Sequence, residues 1–227
     1  MSEPLLRVSA RFRREYPEDA PLGQAEEVLA LPPTRSALLL IDVYPREGPQ
    51  AHIIRTRIVP ATAAARGAGL PIIYATNYLA DITDQSSEWR KLWLRTLGKD
   101  VLQTWAEPSD VLTYLPEIAP SEGDHVVRKQ HYSGFLETNL HELLQELGVH
   151  YLFLAGFDAR ICVAATATDA LAHDYGVIVL RDAIATTEID EARGRRPAYE
   201  QAVRYIESCT GYTTESAEFI AACGRVV

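Results

Sequence analysis

The sequence predicts an α/β fold, a three-layer α/β/α sandwich around a central, mostly parallel six-stranded sheet. Three observations lead there. Short apolar runs recur, too continuous for half-exposed strands: ALLLIDV at 37–43, PIIYATN at 71–77, YLFLAG at 151–156 and GVIVL at 176–180. Segments with helical spacing separate them, and that alternation is the mark of a parallel sheet covered on both faces. At 227 residues, with 47% hydrophobic and 23% charged residues, the chain suits one globular domain with a sizeable core.

Taken in order, residues 1–35 are charged and punctuated by prolines, and they read as an extension lying on the surface or on a neighbouring subunit. The arginines between Arg7 and Arg14 are offset at once by EYPEDA. The domain proper then spans 36–227. Its first strand, ALLLIDV, ends in an acid. Residues 51–69 follow with helical spacing of Ile54, Ile58, Ala61 and Ala65, broken near Pro60 and closed by Gly67 and Gly69. After the second strand, PIIYATN, residues 78–120 are irregular and hold Trp89, Trp93 and Trp105. Trp89 and Trp93 share a helix face, and the segment reads equally as a packed helix or as a lid over a pocket.

DHVVRKQ at 124–130 is the third strand, and TNLHELLQELG is a helix capped by Thr138 and ended by Gly148. YLFLAG is the fourth strand. The small residues of 161–175 suit a helix lying close on a sheet. GVIVLRDA at 176–183 is the fifth strand, 191–208 a helix, and GYTTESAEFIAAC a short strand or turn with a final helix.

Composition narrows the possible partners. A net charge of −9 disfavours nucleic acid, which binds through clustered Lys and Arg. No apolar run approaches the ~20 residues that span a bilayer, and the first residues lack a signal peptide's apolar segment, so a cytoplasmic protein without a membrane partner is expected. Cys162, Cys209 and Cys223 are odd in number and show no metal-ligand spacing, so at least one thiol is free and no zinc site is indicated.

In parallel sheets ligands bind beyond the carboxyl ends of the strands, where strand order reverses. Three reactive side chains stand at such ends: Asp42 after the first strand, Lys129 at the end of the third, and Cys162 opening the helix after the fourth. A thiol in a helix's first turn, near a lysine, is expected to have a lowered pKa and to be a thiolate near neutral pH. Backbone N–H groups there can hold an oxyanion, and Asp42 can shuttle a proton. Plainer roles stay open at this level: Cys162 as a small buried hydrophobe, Asp42 as a loop cap, Lys129 as a solvated charge.

The segments LLLID (38–42), RKQHYSGFLETNL (128–140) and GFDARICVAATATDA (156–170), in that order and spacing, resemble the isochorismatase-like cysteine hydrolase superfamily over most of residues 36–222. KxxYSGF, with Lys129, Tyr132 and Phe135, is most similar to the branch acting on ureido compounds, such as ureidoacrylate and biuret amidohydrolases. The resemblance implies an Asp42–Lys129–Cys162 triad that hydrolyses a C–N bond of a small amide or ureido substrate through a thioester. It also implies a cis peptide between Phe157 and Asp158, and oxyanion donors at the N–H groups of Asp158 and Cys162. Substrate contacts fall at Asn77, Tyr132, Phe135, Arg160 and Gln201. No cofactor is implied, and relatives are commonly homodimers or homotetramers.

The chain departs from that pattern at three places. Tyr44 stands where many relatives have Gln and where nicotinamidases carry a metal-binding His, so no metal is expected. Ala159 replaces a common Thr, and Arg160 puts a charge beside the thiol. Carboxamide or hydrazide hydrolysis is the alternative activity within the family, and a catalytically idle relative acting as a binding or assembly protein is the alternative to an enzyme.

Overall fold

The computed structural model describes residues 4–16, 21–44, 49–77, 87–97, 114–186 and 196–226, without the side chains of Trp93 and Leu97. Eight strands form one sheet: β1 (Leu6–Arg14), β2 (Gly23–Leu31), β3 (Ser36–Ile41), β4 (Ile72–Asn77), β5 (His125–Lys129), β6 (Tyr151–Phe157), β7 (Gly176–Ala185) and β8 (Tyr212–Thr214). Their spatial order is β2-β1-β8-β7-β6-β3-β4-β5. Pairings from β8 through β5 are all parallel, whereas β1 runs antiparallel to both β2 and β8.

The sheet therefore has eight strands where the sequence suggests six, and the two additions come from the expected surface extension. Their origin is an alternation hidden among the arginines. Leu6, Val8 and Ala10 are buried, while Arg7 and Ser9 between them are exposed. Period-two burial is what an edge hairpin with one face on a core requires.

Seven helices cover the two faces: α1 (Pro49–Ile53), α2 (Val59–Gly67), α3 (Glu88–Leu97), α4 (Leu140–Glu146), α5 (Ala164–Ala172), α6 (Pro197–Tyr205) and α7 (Ser216–Gly224), counted among the described residues. α1 and α2 are joined without a break by a π turn, Ile54–Ile58, and Pro60 follows it directly, so its missing N–H falls inside a continuous helix, next to the wider turn. The expected break near Pro60 is thus a local widening rather than an end. Thr138 accepts from the Leu140 N–H at 3.2 Å and so supplies the first-turn acceptor of α4. Gly148, at φ +66°, closes it as expected.

Strand alternation splits the core in two. Leu38 and Leu40 of β3 join Ile54, Ile58, Ala61, Phe219 and Cys223 on one face. Leu39 and Ile41 join Leu140, Leu144, Val163, Ala167 and Val203 on the other. Burying each β3 leucine contributes roughly 2 kcal/mol.

Chain order places a crevice. From β3 the chain steps to β4 and β5 on one side, then returns to lay β6 on the other side of β3. The order reverses between β3 and β6, and the ends of these two strands diverge there. Gly156 lets them approach until that point: a Cβ on it would lie 2.0 Å from the Ile41 carbonyl oxygen.

Among the described residues no helix is long and apolar enough to cross a membrane. The expected lid, 78–120, falls largely on 78–86 and 98–113, outside the described residues; residues 87–97, with α3, and 114–120 are the parts that are described.

Candidate active site

Asp42 leaves β3 with φ +52°, a conformation few non-glycine residues adopt, and its N–H donates to the Ala75 carbonyl at 2.9 Å. That turn points its carboxylate into the crevice instead of along the strand. Its two oxygens are both taken: Oδ1 accepts from the Asn77 N–H at 2.9 Å and Oδ2 from Lys129 Nζ at 2.8 Å. Lys129 also donates to Asn77 Oδ1 at 2.8 Å and to the His131 carbonyl at 3.3 Å. Its side chain is 0% exposed and that of Asp42 2%. A buried lysine with one charged and two neutral acceptors is fully satisfied, which is what makes its burial tolerable.

Cys162 approaches this pair from the β6 end. The peptide bond between Phe157 and Asp158 is cis, as the resemblance implies. A π turn, Ala159–Val163, follows and runs directly into α5. Asp158 organises it: its side chain accepts from the Arg160 N–H at 3.0 Å, and its carbonyl accepts from the N–H groups of Ile161 and Val163, each at 3.1 Å. The wide turn carries Cys162 inward, where its thiol comes under the influence of both Asp42 and Lys129. The three residues expected from the strand ends are thus brought together in one buried cluster.

The electrostatics differ from the expectation. Burial first, and then the Asp42 carboxylate, push the Cys162 thiol up to about 12, against the opposing pull of Lys129. A resting thiolate near neutral pH is therefore not what this site holds. Lys129 cannot stabilise sulfur freely because its charge is already matched by Asp42, and the first turn is a π turn sunk below the surface. The resting state is a neutral thiol beside an Asp42–Lys129 ion pair.

The five expected substrate contacts separate into groups. Asn77 touches both members of the pair, its backbone N–H donating to Asp42 and its side-chain Oδ1 accepting from Lys129, and so holds them in place. Tyr132 lies near the sulfur: burial, and then the electrostatic influence of Cys162, raise its phenol. Trp89 of α3 packs edge-on against it at 4.4 Å and donates its indole N–H to the Gln130 carbonyl at 3.1 Å. Phe135 is stacked on His173 and Tyr175, with ring centroids 5.2 and 5.9 Å away, as part of the core. Tyr132, Arg160 and Gln201 line a cleft of about 700 Å³ between α5 and α6. This cleft shares the Cys162 turn as a wall without being lined by the triad itself. Arg160 Nε lies 3.7 Å from the Asp158 carboxylate.

Tyr114 escaped the sequence reading. Its hydroxyl shares a 2.7 Å hydrogen bond with Thr76, next to Asn77, and burial, with a smaller contribution from Asp42, raises its phenol. It follows an aperiodic stretch, so no spacing pointed to it. Among the described residues no group of three or more His, Cys, Asp or Glu could hold a metal.

Comparison with known proteins agrees with the fold. Residues 36–218 match the isochorismatase domain model. Ureidoacrylate amidohydrolase RutB of Yersinia enterocolitica is 30% identical over 184 residues, covering 71% of this chain and 80% of that protein. The protein of the same name from Methylobacterium radiotolerans is 28% identical over 245 residues, covering 92% and 93%. Among solved structures, a cysteine hydrolase from Pseudomonas syringae pv. phaseolicola superposes with a TM-score of 0.73 at 24% identity over 100% of both chains, a likeness of fold. N-carbamoylsarcosine amidase from Thermoplasma acidophilum does so with 0.62 at 29% identity, covering 80% of this chain and 96% of that one. With its crevice at the reversal of strand order and its family model matched along most of its length, the chain belongs to the isochorismatase-like hydrolase family.

Proposed function

We propose that this chain is a cysteine-dependent amidohydrolase that cleaves a C–N bond in a small ureido or carboxamide substrate. The observation that carries the reading is the buried contact of Cys162 with the Asp42–Lys129 pair. The ureido preference rests on likeness to the ureidoacrylate amidohydrolases and to N-carbamoylsarcosine amidase.

The neutral thiol dictates how the chemistry starts. As sulfur bonds to the substrate carbonyl carbon, its proton passes to Asp42, so thiolate never accumulates in the free enzyme. The carbonyl electrons move onto oxygen, held by the N–H groups of Asp158 and Cys162. Asp42 returns the proton to the nitrogen as the C–N bond breaks, and the amine leaves. Water then attacks the thioester, gives one proton to Asp42, and releases the acid or carbamate; that proton re-forms the thiol. Lys129 keeps the Asp42 carboxyl aimed at the sulfur throughout, and Asn77 keeps Lys129 in place. Carboxamide or hydrazide substrates would pass through the same steps.

Ammonia release measured over a panel of small ureido and carboxamide compounds tests the proposal. Wild type should turn over at least one of them, and Cys162→Ala should not, with its fold retained by circular dichroism. A folded Cys162→Ala protein that keeps full activity would overturn the mechanism. Silence of the wild type across the panel would favour a binding role instead. Size-exclusion chromatography with light scattering tests a homodimer or homotetramer, the assembly proposed by likeness to the family.

A further inference from the structure

The face of α6 opposite the catalytic cleft lines a second, smaller cleft, of about 310 Å³, against the N-terminal hairpin. Four arginines contribute to its wall: Arg11 and Arg13 of β1, Arg181 of β7 and Arg204 of α6. Such a concentration is unexpected in a chain of net charge −9. Two of the four are engaged. Arg11 Nη2 lies 3.1 Å from Glu207, whose carboxylate also accepts from Thr213 at 2.6 Å, and Arg181 lies 2.6 Å from Glu215. Arg11 is still short of acceptors, because its Nε is buried without a partner. Arg13 and Arg204 make no ion pair among the described residues, and the one remaining carboxylate of the cleft is the exposed Glu200.

Two guanidinium groups that cannot shed their charge, both lining one concave site, favour an anion between them. A guanidinium fork matches a tetrahedral oxyanion, offering paired N–H groups to paired oxygens. We propose that this cleft is a binding site for a phosphate group, free or in a small phosphate monoester, held chiefly by Arg13 and Arg204. The volume suits a small ligand and not a polymer. The site is separate from Cys162 and independent of the hydrolytic reading.

The test is thermal unfolding and calorimetric titration of the full chain with inorganic phosphate, against sodium chloride at equal ionic strength. Phosphate should raise the midpoint saturably, because a ligand that binds only the folded state stabilises it by mass action. The Arg13→Ala/Arg204→Ala double variant should bind phosphate at least tenfold more weakly, while Arg95→Ala, an exposed arginine on α3, should bind as wild type. If the double variant does not fold, Arg204→Gln alone, at an exposed helix position, carries the same comparison. Tighter binding of glycerol phosphate than of phosphate would assign a monoester; the reverse order would assign the free ion. A phosphate response no larger than that of chloride, or one unchanged in the variants, would overturn the proposal.

Discussion

Replacing Asp42 by Asn should make Cys162 more reactive toward an alkylating agent while abolishing hydrolysis. In the resting site burial and then the Asp42 carboxylate push the thiol up to about 12, so thiolate is scarcer there than for a free thiol. Burial cannot be removed by one substitution, but the carboxylate can. A unit charge ~4 Å away, at an effective dielectric constant of ~20, amounts to about 4 kcal/mol, or up to ~3 pK units. Removing it also frees Lys129, for which the thiolate becomes the remaining counter-charge. Alkylation of Cys162 by iodoacetamide at pH 8 should therefore accelerate between tenfold and about a thousandfold. The assay belongs in a Cys209→Ser background, because Cys209 is exposed and labels first, and is read by mass spectrometry of the Cys162 peptide. Access to the buried sulfur is the same in both proteins, so it cancels from the ratio. A wild-type thiol that titrates below about pH 8, or a slower Asp42→Asn variant, would refute the neutral resting thiol.

Other outcomes follow from the same geometry. Lys129→Met leaves the Asp42 carboxylate buried without its cation, which should cost about 3–5 kcal/mol in urea unfolding and remove activity. The Cys162 proton is bound more tightly in the folded than in the unfolded chain. Its stabilisation is thus complete below pH ~9 and lost as pH rises toward about 12. Wild type should lose stability relative to Cys162→Ala by up to ~1.4 kcal/mol per pH unit between pH 9 and 11, and parallel pH profiles would contradict this. Leu6→Ala should destabilise by roughly 2–5 kcal/mol if the hairpin is part of the main core, as its complete burial indicates, and hardly at all if it is a loose arm.

The parallel half of the sheet was legible because each strand is an unbroken apolar run and the helices between them carry their own periodicity. The clustering of Asp42, Lys129 and Cys162 was legible for a related reason: their strands are parallel, so residues just past the carboxyl ends share one edge of the sheet. The hairpin was not, because charge density around Arg11 and Arg13 masked the alternation of Leu6, Val8 and Ala10. The thiol's acidity was misjudged for want of two facts that sequence does not carry. These are the depth of Cys162 and the prior commitment of Lys129 to Asp42 and Asn77. Phe135 was read as a substrate contact from its motif, yet its neighbours in space are His173 and Tyr175, which lie far along the chain.

The edge of the sheet also bears on how the molecule is made. β8 is only three residues long and sits between β7 and the hairpin, and Thr214 donates to the Ser9 carbonyl across 205 positions, Arg225 to that of Arg7 across 218. The hairpin leaves the ribosome well before β8, its partner in the sheet. Until then Leu6, Val8 and Ala10 have no core to cover, and the exposed strand invites pairing with another chain. Closing such a long loop is entropically costly before any contact rewards it, which makes this clasp a natural late step in folding.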